Sequence, residues 1–526
     1  MEQKKQVFLI VLDGFGIGPI NDGNAVFKAK TPNLDKYWTY PFKKGLLHAS
    51  EIAVGLDTGY TGNSEVGHIN LGAGRVVSQS LQIINEQIEN RKIFKNKIIK
   101  EYFKKARKKD VKLHLVGCLS NAGVHSHIKH LFTLIDIANK YRVKPYIHLF
   151  LDGRDSGKND AFFFLDKLRQ KLRGERHGIV ASLTGRYYGM DRNTRWERTE
   201  KAYNALIGIG DYYEEDLSVA LQNAYQRGED DENFAPTVII DKNKTPVGII
   251  EDGDVVFNFN FREDRTRQIT QAIVDPEFIG FNRRRVLKEL KFVSLIGYSE
   301  NLPVETVFPA IKIENTVSAV ISNANMSQLH IGETEKYAHV SYFFNGGEKK
   351  PHPNEKFFMI PSPLVKDYVE TPEMSAVQIT QEVLAQMDRN FYNFYLINFS
   401  NPDMIGHTGD LNMAIKAVEI TDNCLGQIVD KALKNGASVI ITADHGNAEN
   451  MIDLEKSRPD NAHTLNPVPF MIINKEIHAN GNLIKIGTPY DTIPIGVLAD
   501  IGVTALKLLG ITPPEEMTGI DLSLFS

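Results

Sequence analysis

The 526-residue sequence holds only two cysteines, Cys118 and Cys424, too few for a disulfide framework or a cysteine-rich zinc site. That usage fits a reducing compartment, and a cytoplasmic location is expected. Positive charge is not in excess either. The 61 Lys and Arg against 65 Asp and Glu leave a formal charge of −4, so the polycationic footprint of a general nucleic-acid binder is absent. No apolar run reaches the about 18 residues that a transmembrane helix needs, so no membrane partner is expected. Lys4-Lys5 ahead of apolar residues 7–12 imitates the start of a secretory leader. Asp13-Gly14 stop that run too early for a leader's apolar region, and a buried strand is expected there instead. Internal repeats and low-complexity tracts are missing as well. What is present is an ordinary globular composition, 42% hydrophobic and 24% charged, enough at this length for two or three cores.

Short β-rich apolar runs alternate with helical patterns. Strands are expected over 7–12, 112–116, 146–151, 178–183, 255–258, 292–296, 394–398 and 438–442. The clearest helix runs from about Met413 to Lys434, with Ile415, Val418, Leu425, Ile428, Val429, Ala432 and Leu433 on one face and Asn435-Gly436 as a stop. Such alternation predicts an α/β fold with mostly parallel sheets, where function gathers in loops beyond the carboxyl ends of strands. Asp13-Gly14, Asp152-Gly153-Arg154-Asp155, the 401–407 segment and Ala443-Asp444-His445-Gly446 all follow expected strands. The acidic stretch 227–233 reads as a solvated loop.

Three groups of residues carry chemistry. Asp403 and His407 are four apart, Asp444 and His445 are adjacent, His463 follows, and Asp13 ends the first strand. Carboxylate oxygen with neutral imidazole nitrogen suits Mn²⁺ or Zn²⁺, and six such groups suffice for two ions. Each taken alone also reads as a surface pair or a turn cap. Ser64 lies in Thr61-Gly62-Asn63-Ser64-Glu65-Val66-Gly67-His68, where it could face an anion at a helix start or be a plain N-cap. No G-x-S-x-G elbow accompanies it, and a cation could activate its hydroxyl instead. Arg154, Arg186, Arg192, Arg262 and Arg265 supply forks that pair with phosphate or carboxylate, although most arginines in any chain are surface ion pairs. His125 also follows a strand, where taken alone it reads first as a buried or surface structural histidine.

As a set, the motifs resemble the cofactor-independent phosphoglycerate mutases of the alkaline phosphatase-like superfamily. The resemblance rests on Gly62-Asn63-Ser64-Glu65-Val66-Gly67-His68, Leu71-Gly72-Ala73-Gly74-Arg75, Leu151-Asp152-Gly153-Arg154-Asp155 and Asn260-Phe261-Arg262. Glu333-Thr334-Glu335-Lys336-Tyr337-Ala338-His339-Val340, Phe344-Asn345-Gly346-Gly347, Pro372-Glu373-Met374-Ser375, Thr442-Ala443-Asp444-His445-Gly446-Asn447 and Glu516-Met517-Thr518-Gly519 extend it over about residues 5–522. Before the nucleophile, Gly55-Leu56-Asp57-Thr58-Gly59-Tyr60-Thr61 departs from the family pattern.

The resemblance implies a discontinuous phosphatase-like domain, 1–77 with 311–526, and an inserted α/β transferase domain, 78–310, with crossings near Ser78 and Pro309. It implies two divalent cations, typically Mn²⁺, with Zn²⁺ or Co²⁺ as alternatives. Asp403, His407 and His463 would hold one, and Asp13, Ser64, Asp444 and His445 the other. His125, Arg154, Asp155, Arg186, Arg192, Arg262, Arg265 and Lys336 would bind substrate, with Ser64, Asp155 and Lys336 catalytic. The implied reaction interconverts 3-phosphoglycerate and 2-phosphoglycerate in glycolysis and gluconeogenesis through phosphoserine at Ser64, in a cytoplasmic monomer. Two rivals stand beside it: a metal-dependent phosphatase or phosphodiesterase on the same core, and a non-catalytic metal- or phosphate-binding protein. A phosphopentomutase-like reading is chemically close but fits the insert less well.

Overall fold

The computed structural model describes residues 5–40, 43–108, 111–173, 178–297, 302–309, 313–454, 458–475, 483–487 and 493–524. The chain is α/β and divides into two compact units, Met1–Gln79 with Lys312–Ser526, and Ser80–Ile311.

The first unit is built on an eight-stranded sheet. Its strands run in the order Glu355–Ile360, Gln328–Glu333, Phe394–Phe399, Val7–Leu12, Ser438–Thr442, Val468–Ile473, Lys43–His48 and Gly496–Val497. The first five are mutually parallel, while Val468–Ile473 runs antiparallel to both of its neighbours. Every residue of Val7–Leu12 and of Phe394–Phe399 is buried. Continuous apolar runs are what a parallel strand covered on both faces demands. The long helix spans Leu411–Lys434, with the Asp410 side chain accepting from the Met413 N–H at its start. Its apolar face joins the same core as the sheet.

The second unit carries another eight-stranded sheet, ordered Glu305–Phe308, Lys291–Ile296, Val255–Asn258, Leu113–Leu119, Pro145–Leu151, Ile179–Gly185, Thr237–Ile239 and Tyr212–Glu214. Only the Ile179–Gly185 and Thr237–Ile239 pair is antiparallel. Here one expectation holds only in part. The 227–233 stretch is not simply a solvated loop, because Asp231 is buried. Its carboxylate accepts from the Ala161 N–H at 2.8 Å, at the start of helix Ala161–Lys171, and from the Tyr225 hydroxyl. A helix N-terminus draws a carboxylate inward. Both cysteines are free and buried. Among the described residues, no helix is long and apolar enough to cross a membrane.

Candidate active site

Four neighbouring parallel strands of the first unit deliver chemical groups from their carboxyl ends. Gln328–Glu333 leads to Lys336, and Val7–Leu12 to Asp13. Phe394–Phe399 leads to the short helix Asn401–Gly406, which carries Asp403 and is capped by His407. Ser438–Thr442 leads to Asp444 and His445. Parallel pairing sends all four loops off the same sheet edge, so distant sequence segments meet. Ser64 opens the helix Ser64–Ala73, with the Asn63 side chain accepting from the Val66 N–H. That helix can press against the 444 loop because Gly67 has no side chain. A Cβ there would stand 2.7 Å from both the carbonyl oxygen and the Cβ of Asp444.

The Ser64 hydroxyl oxygen lies 3.2 Å from Asp13 Oδ1, 3.1 Å from His445 Nε2 and 2.7 Å from Lys336 Nζ. Lys336 also donates to Asp13 Oδ1 and Asp403 Oδ2, at 2.6 Å each. Asp403 Oδ1 is 3.4 Å from His407 Nε2 and 3.3 Å from His463 Nε2. Burial alone would favour neutral carboxyls at Asp13 and Asp403, yet the Lys336 ammonium and the neighbouring imidazoles together outweigh it and hold both well below the ordinary range. Burial likewise opposes charge on Lys336, and Asp13, Asp403 and Asp444 reverse that and raise it. His445 follows the same logic: burial works against its proton, but Asp444, Asp13 and Asp403 push it up to about 9.

This donor set fits divalent cations. Ligand atoms of Asp403, His407 and His463 lie within 4.8 Å of one another, as do those of Asp13, Asp403 and His445. His407 Nδ1 donates to the Asn461 carbonyl and His463 Nδ1 to the Gly62 carbonyl, both at 2.9 Å. Those bonds assign the proton to Nδ1 in each ring. The two Nε2 lone pairs are left facing each other at 3.0 Å, an arrangement that a cation between them turns from repulsive to favourable.

In the second unit, Arg186 follows strand Ile179–Gly185 and is only 2% exposed. Its guanidinium bonds to Asp152 Oδ1 and Asp155 Oδ2, and its Nη2 donates to His125 Nε2 at 3.0 Å. Burial, then Arg186 and Arg262, depress His125 to about 3, so the ring is neutral, with Nδ1–H buried and unpartnered. Arg192 donates to Asp264 Oδ2 at 2.7 Å, and Arg262 Nε lies 3.3 Å from Asp264 Oδ1. Arg265 donates to the Met190 carbonyl at 3.1 Å. Burial and then the neighbouring Arg186 and Arg192 lower Arg265, which marks positive charge in want of an anion. The Arg154 side chain is exposed and lies 3.5 Å from Glu232.

The sequence-derived residues thus fall into two clusters. Asp13, Ser64, Lys336, Asp403, His407, Asp444, His445 and His463 meet in the first unit. His125, Asp155 and Arg186 meet in the second, with Arg192 and Arg262 joined through Asp264. Several partners escaped sequence reasoning. Asn447 donates to Asp403 Oδ1, Asn398 to Asp13 Oδ2, and Asp152 grips Arg186. A polar residue inside the apolar run Phe394–Phe399 was a readable signal for Asn398, whereas Asn447 and Asp152 sit in loops where polar residues are ordinary.

Strand-end carboxylates and imidazoles grouped around a hydroxyl define a class, the metalloenzyme superfamily, whose profile matches residues 5–513. The chain is 46% identical over 523 residues to the 2,3-bisphosphoglycerate-independent phosphoglycerate mutase of Clostridium acetobutylicum, covering 99% of each. It is 42% identical to that of Desulforudis audaxviator, covering 99% of this chain and all of that one. A crystal structure of Leishmania mexicana phosphoglycerate mutase at low cobalt concentration superposes with a TM-score of 0.74 at 31% identity, covering 98% of this chain and 97% of that one. Within the superfamily, the chain belongs to the 2,3-bisphosphoglycerate-independent phosphoglycerate mutases.

Proposed function

We propose that the protein interconverts 3-phosphoglycerate and 2-phosphoglycerate, a glycolytic isomerisation, through a phosphoserine at Ser64. The observation that carries this reading is the Ser64 hydroxyl set among Asp13, His445 and Lys336 at 2.7–3.2 Å. Asp403, His407 and His463 would hold one cation and Asp13, Ser64, Asp444 and His445 the other, with Mn²⁺ the first candidate for this oxygen and nitrogen set and Zn²⁺ or Co²⁺ next. Bound there, the cations supply Lewis-acid stabilisation of the phosphoryl group and lower the pKa of the Ser64 hydroxyl.

The chain's own residues do the rest. Ser64 enters as the alkoxide, its proton released to solvent beforehand; its Oγ forms a bond to phosphorus as the bond from phosphorus to the 3-oxygen of the substrate breaks, and it leaves as the alkoxide in the return transfer, while Lys336 steadies the phosphoryl oxygens. Asp155 gives a proton to the departing 3-oxygen and later takes one from the 2-hydroxyl as that oxygen attacks phosphoserine. Arg262 and Arg265, with Arg154, Arg186, Arg192 and His125, hold glycerate through its carboxylate and hydroxyls between the two transfers. Retention of glycerate is what separates a mutase from a phosphatase, so water must be kept from phosphoserine. A monomer working in the cytoplasm is the accompanying expectation.

The test follows 2-phosphoglycerate and inorganic phosphate together, starting from 3-phosphoglycerate with no bisphosphoglycerate added. Isomer formation without phosphate release is expected; release of phosphate alone would favour the phosphatase rival. Ser64→Ala should lose at least about a thousandfold in turnover. Unchanged activity in that variant would return Ser64 to a mere helix cap.

A further inference from the structure

Two fully buried side chains beside the nucleophile have no part in the chemistry above. His68 lies one helical turn after Ser64, and Asn398 sits in strand Phe394–Phe399 opposite Val11. His68 Nδ1 is 2.9 Å from the Ser64 carbonyl oxygen and 3.3 Å from Asp444 Oδ2. A carbonyl only accepts, so Nδ1 carries the proton and Nε2 carries the lone pair. That lone pair faces Asn398 Nδ2 at 3.2 Å. The same amide nitrogen donates its other proton to Asp13 Oδ2 at 2.8 Å. Every proton in the chain then has one destination, from the Asp13 carboxylate through Asn398 and His68 to the backbone of Ser64. His68 lies close enough to Asp13 and Asp444 to be mistaken for a ligand. Both of its nitrogens are already engaged, which leaves it no lone pair for an ion.

We propose that His68 and Asn398 act as a pair of positioning residues. They tie the first turn of the nucleophile helix to the outer oxygen of Asp13. The inner oxygen, Oδ1, is thereby held at 3.2 Å from Ser64 Oγ. Hydrogen bonds to the outer side of a ligating carboxylate fix its rotation and tune its affinity for a cation. The inference rests on the two-cation reading above. It adds that one continuous bridge joins Asp13 to the backbone of Ser64, on the side away from the direct Lys336 contacts with both residues.

The experiment is calorimetric titration of the full chain with Mn²⁺, alongside kcat and KM for 3-phosphoglycerate. The variants are His68→Leu, Asn398→Leu, the double variant, and His68→Asn, which keeps an amide N–H near the Ser64 carbonyl. Each leucine variant should weaken Mn²⁺ binding by about 10- to 100-fold and lower kcat, with KM unchanged. His68→Asn should recover part of the loss. The double variant should be no weaker than the worse single one, because either change breaks the same bridge. Far-UV circular dichroism checks folding, and if His68→Leu does not fold, Asn398→Leu and His68→Asn carry the test. Folded variants with wild-type Mn²⁺ affinity would overturn the inference, as would losses that simply multiply in the double variant. A wild-type chain that takes up no Mn²⁺ would sink the two-cation reading and this inference with it; wild-type uptake with unaffected variants would sink the inference alone.

Discussion

At the scale of single residues, the first unit keeps three carboxylates, Asp13, Asp403 and Asp444, buried in one small volume. Lys336 and a protonated His445 offset part of that charge. A divalent cation takes neutral imidazole, so below about pH 9 its binding must expel the His445 proton. Mn²⁺ affinity should therefore rise with pH toward that value, by up to about tenfold per unit for one proton released. Calorimetry in two buffers of different ionisation heats reads the released protons, and a buffer-independent heat would contradict this account. The second unit offers a different test. Arg186 serves Asp152, Asp155 and His125 from one planar fork. Arg186→Met strands the buried Asp152 carboxylate and should cost about 3–5 kcal/mol in urea unfolding. Arg186→Lys keeps the charge but not the fork and should fall between that variant and wild type.

At the scale of elements, the nucleophile helix is placed by what it lacks. Helix propensity alone makes Gly67→Ala stabilising by about 1 kcal/mol. The structure reverses the sign, because the new Cβ would stand 2.7 Å from the Asp444 backbone carbonyl oxygen, which has no flexible end to move aside. Overpacking of this kind costs about 1–3 kcal/mol. Gly67→Ala should lower both the urea midpoint and the affinity for Mn²⁺; a raised midpoint with unchanged affinity would refute the close packing. Elements differed in how openly they could be read. Val7–Leu12, Val255–Asn258 and Ser438–Thr442 were legible to the residue, because strands covered on both faces read as near-continuous apolar runs. Gln328–Glu333 was not, although it carries the chain to Lys336. Its buried Gln328 and His330 break the apolar run, and their polarity is answered by the Ser318 and Val340 carbonyls and by each other. The site divides the same way. Asp13, Asp403, Asp444 and His445 stand at strand ends, where topology gives a local signal meaning. His68 and Asn398 acquire their role only from tertiary contact, and sequence spacing does not record it.

At the scale of the whole molecule, buried histidines set how the protein answers acid. In the Ser80–Ile311 unit, burial first and neighbouring positive charge second depress His125 and His130 to about 3. His114 and His148 are lowered as well, by burial above all. The ordinary value is 6.5, so the unfolded chain takes up protons that the folded unit refuses. Stability from these residues is complete above 6.5 and is lost as pH falls through that value toward 3. At about pH 5, His125 and His130 should each have cost about 2 kcal/mol, a large share of the 5–15 kcal/mol typical of a folded domain. In the first unit His330, His339 and His407 are lowered in the same way, by burial above all, and His445 alone of the shifted histidines there has the opposite sign. Its raised value adds stability that is complete below 6.5 and lost as pH rises through about 9. The two tryptophans allow the units to be followed separately, since Trp38 lies in the first and Trp196 in the second. In a Trp38→Phe variant, fluorescence of Trp196, packed edge-on against Phe278, reports the Ser80–Ile311 unit alone. Its urea midpoint should fall steeply between pH 7 and pH 5, and a His130→Asn variant should show a shallower fall because one refused proton has been removed. A midpoint level across that range would mean that the histidines of this unit are charged in the folded protein, against the burial and the charge that surround them.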